Sequence, residues 1–147
     1  MTAYEGVNGT ARPAMPRVSV QFDRAGRVYP PEHGLVARYD VEGVHPESVR
    51  ALERSVLWYT EGKGEEDLFV HHFERLDNEP LPGGDFPSGT VTVRLPASPL
   101  SYEGVIVKIR WCVRIRLFFA SGRDFVSEHV FDLGDIAPAQ GIVERLT

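Results

Sequence analysis

The sequence has one cysteine, Cys112, in 147 residues. An internal disulfide framework and a cysteine-based structural zinc site are therefore excluded. It has no run approaching ~18 consecutive apolar residues, so no spanning helix is expected. The start, MTAYEGVNGT, has neither a basic n-region nor an apolar h-region, and is not read as a secretory signal. A cytoplasmic location is the resulting expectation. Charge of one sign is also missing: the formal net charge is only -5, and apolar residues make up 42% of the chain. That balance excludes a disordered chain, and a pI near 5.5 argues against a dedicated nucleic-acid binder.

Turn residues, by contrast, are plentiful. There are 14 glycines and 11 prolines, spread as punctuation and not gathered in one linker. Many short elements joined by turns suggest an all-β sandwich or barrel. Residues 1–16 are small, polar and aperiodic and read as a flexible N-terminal arm. Residues 17–135 carry the sandwich, and 136–147 form a C-terminal tail packed through Ile142, Val143 and Leu146.

Seven segments have strand character: Val18–Phe22, Leu35–Glu42, Ser55–Thr60, Asp67–Glu74, Thr90–Leu95, Val105–Phe119 and Phe125–Leu133. Pro46–Glu53 is ambiguous between a helical turn and a lead-in to the third strand. From Val105 to Phe119 every odd position is apolar, and a period of two cannot be a helical stripe. A strand of that length would reach roughly 50 Å, so a bulge or bend within it is expected. The fold class is an all-β, immunoglobulin-like antiparallel β-sandwich of about seven strands.

One stretch then resembles a known family. Phe86-Pro87-Ser88-Gly89-Thr90-Val91-Thr92-Val93-Arg94-Leu95-Pro96 leads into Pro99-Leu100-Ser101-Tyr102-Glu103-Gly104, and the long strand from Val107 to Leu117 follows. This is similar to the arrestin-like domain, in which a strand ending in Leu-Pro precedes a Pro-x-Ser-Tyr-x-Gly turn. Tyr29-Pro30 with Gly34 is similar to that family's Tyr-x-Pro-Gly turn, with the glycine displaced. The resemblance implies a non-catalytic adaptor or scaffold. Its relatives usually carry two sandwiches and this chain has room for one, so their polar core, phosphate sensor and inter-domain groove are not carried over. In the turn itself, Gly104 is expected to supply a positive φ and Ser101 to cap through its hydroxyl. Tyr102 would lie across the end of the sandwich.

The candidate binding residues are Lys108, Arg110, Arg114 and Arg116, on one face of the long strand, where successive same-face positions are about 6.6 Å apart. Residues 104–123 hold five basic groups and no acid, whereas 61–85 hold eight acids and two bases. Such a row could bind an acidic partner. It could equally pair with Glu74, Glu128 or Asp132 on neighbouring strands.

No catalytic residue, metal site or cofactor is expected. Ser101, Ser121 and Ser127 lack a nucleophile-elbow context. Cys112 reads as a packed hydrophobe, and the adjacent His71 and His72 should point to opposite faces. The expected function is a non-catalytic protein-interaction module using a sheet face or an edge strand, and edge strands also offer a route to a homodimer. The rival is a carbohydrate- or small-ligand-binding sandwich, in which an outward subset of the mid-strand aromatics Trp58, Tyr59, Phe69, Phe73 and Trp111, whose natural role is core packing, forms a stacking platform.

Overall fold

The structure, a computed structural model, describes residues 15–64, 66–79 and 86–135. The arm and tail assignments thus fall almost wholly outside the described residues. Among the described residues there are nine strands: β1 (Arg17–Phe22), β2 (Val28–Tyr29), β3 (Gly34–Glu42), β4 (Val49–Gly62), β5 (Leu68–Asp77), β6 (Gly89–Arg94), β7 (Tyr102–Glu103), β8 (Val107–Phe119) and β9 (Asp124–Leu133). Seven of them are the expected segments, with ends moved by a few residues. The other two, β2 and β7, are two residues long and have no periodicity to announce them.

The strands form two sheets. One holds six strands in the order β2-β9-β8-β4-β5, with β7 also on β8; the other holds β1-β3-β6. Every pairing is antiparallel except β2 on β9, a parallel contact at Asp132 and Leu133. The two sheets pack face to face as a sandwich. Pro46–Ser48 resolves the ambiguous segment: it is one 3-10 turn, and strand begins at Val49.

Alternation along β8 sets the core. Trp111, Val113, Ile115 and Leu117 are fully buried and face Leu35, Ala37, Tyr39 and Val91 of the smaller sheet. Each large apolar side chain so enclosed stabilises the fold by about 1.5–3 kcal/mol. Polar contacts lock the layers together. The Trp111 indole donates to the Pro99 carbonyl at 2.8 Å, and the Tyr29 hydroxyl donates to Asp23 at 2.5 Å. Burial pulls the Asp23 carboxyl up, but the Tyr29 hydroxyl and the Val36 amide outweigh it and hold the group below its usual range.

The irregularities expected within the long strand lie in its neighbours instead. β8 pairs with β9 in unbroken register from Phe118 to Trp111. The register of β4 slips between Val49 and Ala51, and that of β5 slips opposite Val56 and Leu57, leaving His71 as the extra residue. A bulge of this kind shifts side-chain parity along the strand. It places Leu68, Val70, Phe73 and Arg75 on the outer face, and His72 and Glu74 on the inner one.

Candidate functional site

The outer face of the six-stranded sheet carries the basic row, and each of its four cations has a carboxylate partner. Lys108 Nζ lies 3.4 Å from Glu103, and Arg110 reaches Glu61 at 2.7 Å and Glu103 at 3.3 Å. Arg114 binds Glu128 at 2.6 Å through two nitrogens, and Arg116 binds Asp124 at 2.8 Å. Register explains two of these links. Glu61 is opposite Lys108 on β4, one pleat from Arg110, and Glu128 is directly opposite Arg114 on β9. The Glu61 hydrogen bond outweighs burial and raises the Arg110 guanidinium further above its ordinary value.

Of the three acids expected as partners, Glu128 alone takes the role. Glu74 is turned inward by the His71 bulge, where it accepts from Arg54 Nε at 2.9 Å. Asp132 makes no ion pair among the described residues.

Between the ion pairs runs an apolar row. Val70, Leu57, Cys112 and Val130 are register partners across β5, β4, β8 and β9. Leu57 and Cys112 are fully buried, while Val70 and Val130 are partly open to solvent. Burial pushes the Cys112 thiol up to about 12, which leaves almost no thiolate at neutral pH. Cys112 is therefore expected to resist a disulfide reagent such as DTNB at pH 8 in the folded protein and to react fully in denaturant. Rapid stoichiometric labelling of the folded chain would contradict its enclosure.

The Ser101–Gly104 turn is built differently from expectation. The Ser101 hydroxyl accepts the Leu133 amide at 2.8 Å, and the Ser101 amide donates to the Leu133 carbonyl at 2.8 Å. Ser101 thus ties the turn to the end of β9 and does not cap the turn itself. Gly104 is absent from the residues with positive φ. Glycine is needed there because a Cβ would sit 2.3 Å from the Tyr102 ring and 2.5 Å from the Val107 carbonyl. Tyr102 is half exposed at the rim.

The two adjacent histidines also depart from the expected opposition. His71 Nε2 donates to the Arg94 carbonyl at 2.8 Å and its ring meets Trp111 edge-on, while His72 reaches Glu74 at 3.1 Å. Both sit on the inner side because His71 is the bulge residue. Among the described residues no group of three or more His, Cys, Asp or Glu could hold a metal ion.

Ser127 Oγ and His129 Nε2, which strand alternation puts on one face of β9, lie 2.7 Å apart. Burial, then the charge of Arg27, lowers the His129 imidazole. Among the described residues no carboxylate hydrogen-bonds it, so the pair lacks the orienting acid of a hydrolytic triad. Of the aromatic candidates, Trp58 stacks on Phe69 at 4.3 Å with the rings 17° apart, and Phe69 and Phe73 remain half exposed on β5.

The two packed sheets define an all-β sandwich. No family model matches the chain, and no curated protein matches it. Among solved structures it is similar to Spo0M, the sporulation control protein from Bacillus subtilis, with a TM-score of 0.54 at 14% identity. The superposition covers 82% of this chain and 50% of that one, so the chain spans half the length of that structure. At this identity the likeness shows the fold. Among the described residues, no helix is long and apolar enough to cross a membrane.

Proposed function

We propose that the chain is a non-catalytic cytoplasmic interaction module that recruits a protein partner by adding the partner's strand to the open edge of β5. One observation carries this reading. β5 is hydrogen-bonded on one side to β4, has no strand on its other side among the described residues, and presents Leu68, Phe69, Val70 and Phe73 at 46–52% exposure. An edge of unpaired backbone groups lined with apolar side chains is a template for strand addition. The bulge at His71 and the charges at Glu74, Arg75 and Asp77 blunt the second half of the strand, which directs pairing to Leu68–Val70.

The basic row would meet an acidic partner only by exchange, because each of its four cations is already paired within the chain. Lys108, Arg110, Arg114 and Arg116 lie on the face that adjoins β5 through β4, and a partner carboxylate would exchange with Glu61, Glu103, Glu128 or Asp124. A second copy of the chain is one partner this edge can accept. The test is a photo-crosslinking residue at position 70, compared with one at Val36 on the other sheet. Adducts from position 70 that vanish on Phe69→Lys support the reading. Equal adducts from both positions, or adducts indifferent to Phe69→Lys, overturn it.

A further inference from the structure

A cavity of about 780 Å³ opens at the end of the sandwich where β9 begins. Its walls are Pro16, Val44, Phe119 and Phe125, and two charged residues line it, Arg123 and Asp124. Its size and largely apolar lining match those of sites that enclose a small group. The two charges are not equivalent. Asp124 is neutralised by Arg116 at 2.8 Å. Arg123 has no carboxylate within ion-pair distance among the described residues, whereas the other four cations of the 104–123 segment are all paired. The site is therefore a half-open, largely apolar pocket that also carries His45 and, in Arg123, one guanidinium without an ion-pair partner among the described residues.

The cavity also leads directly into a second open sheet edge. Asp124 and Phe125 line the cavity and begin β9, whose side away from β8 carries no strand among the described residues until β2 joins at Asp132. The Arg27 guanidinium donates to the Val130 carbonyl at 3.4 Å, which marks where the unpaired stretch closes. From Asp124 to His129 the free edge spans roughly 20 Å, enough for five or six residues of an added strand.

We infer that this corner captures the carboxyl terminus of an extended peptide. The last side chain, aliphatic or aromatic, fills the cavity. The terminal carboxylate meets Arg123, and the preceding residues run antiparallel to β9 along its edge. Charge complementarity selects an anionic group, and the edge selects a peptide over a free acid, which could use the cavity and the guanidinium alone. The site is on the opposite edge of the sheet from β5 and stands or falls independently of the strand addition proposed there.

The test uses the acetylated pentapeptide SVTVF with a free carboxyl terminus, its carboxamide counterpart, and 3-phenylpropionate, each titrated into the 15N-labelled chain. The free-acid peptide should give saturable shifts at Val44 and across Ser121–Phe125, and should slow amide exchange from Phe125 to His129. The carboxamide should bind about tenfold more weakly or worse, since a charge-assisted hydrogen bond is lost. Arg123→Gln should erase the difference between acid and amide while its melting temperature stays unchanged, because Arg123 is an exposed turn residue. Equal binding of acid and amide, unchanged selectivity in Arg123→Gln, or no saturable shift overturns the assignment. Phenylpropionate binding as tightly as the peptide overturns the peptide in favour of a small-molecule site.

Discussion

Replacing Trp111 with alanine is expected to lower the unfolding free energy by about 3–5 kcal/mol, the usual cost of truncating a fully buried aromatic side chain. Three features place it at the upper end of what this chain can lose. Trp111 is 0% exposed and lies in the unbroken inner row of β8. Its ring packs 6.0 Å from both Phe131 and His71, so the void would open between two neighbours that β8, β9 and β5 hold apart. Its indole is also the donor to the Pro99 carbonyl, which loses its partner. A melting temperature lowered on the order of 10 °C is the expected readout. Trp58→Ala is the comparison, since Trp58 is half-buried at the sandwich margin and should cost distinctly less. If the two variants melt together, Trp111 is not the keystone its burial implies.

Most of what places Trp111 was legible in the sequence. The odd-position alternation from Val105 to Phe119 specified both a strand and which of its faces is buried, because a two-residue period leaves no other solution. The glycine and proline punctuation marked where strands end. What remained hidden depends on contacts between distant segments. β2 and β7 exist only because β9 and β8 are there to pair with them. The His71 bulge carries no local signal, yet it reverses the parity of the rest of β5 and sends Glu74 to the inner face. Cations on β8 could thus be assigned to a face, while their partners could not. Gly104 shows the same division: its need for glycine was legible, and the reason, a ring and a carbonyl folded onto it, was not. The corner at Arg123 is assembled from pieces near residues 16, 44 and 119–125, which no spacing rule connects.

Arg54→Ala is expected to cost about 2–3 kcal/mol, through a polar group abandoned in the core more than through a lost ion pair. Arg54 projects inward from β4 between the sheets, where its Nη1 donates to the Tyr39 hydroxyl at 3.0 Å and its Nε to Glu74 at 2.9 Å. Tyr39 is 1% exposed, so its hydroxyl has nowhere to turn once Arg54 is gone. Glu74, with its side chain 38% exposed, can rotate into water, and its share is discounted accordingly. The acid limb separates the two contributions. Arg54, then His72, holds the Glu74 carboxyl below its ordinary 4.5. A depressed carboxylate stabilises the fold fully above that ordinary value and loses its effect as pH falls through the lower native one. The unaltered chain should therefore lose stability more steeply below about pH 4.5 than Arg54→Ala does. Replacing both inter-sheet partners, Tyr39→Phe with Arg54→Met, removes the stranded hydroxyl while keeping apolar volume, and should recover more than half of the loss near neutral pH. A double variant no more stable than Arg54→Ala would mean that the guanidinium stabilises the sandwich through its charge, and the hydroxyl would then carry none of the cost.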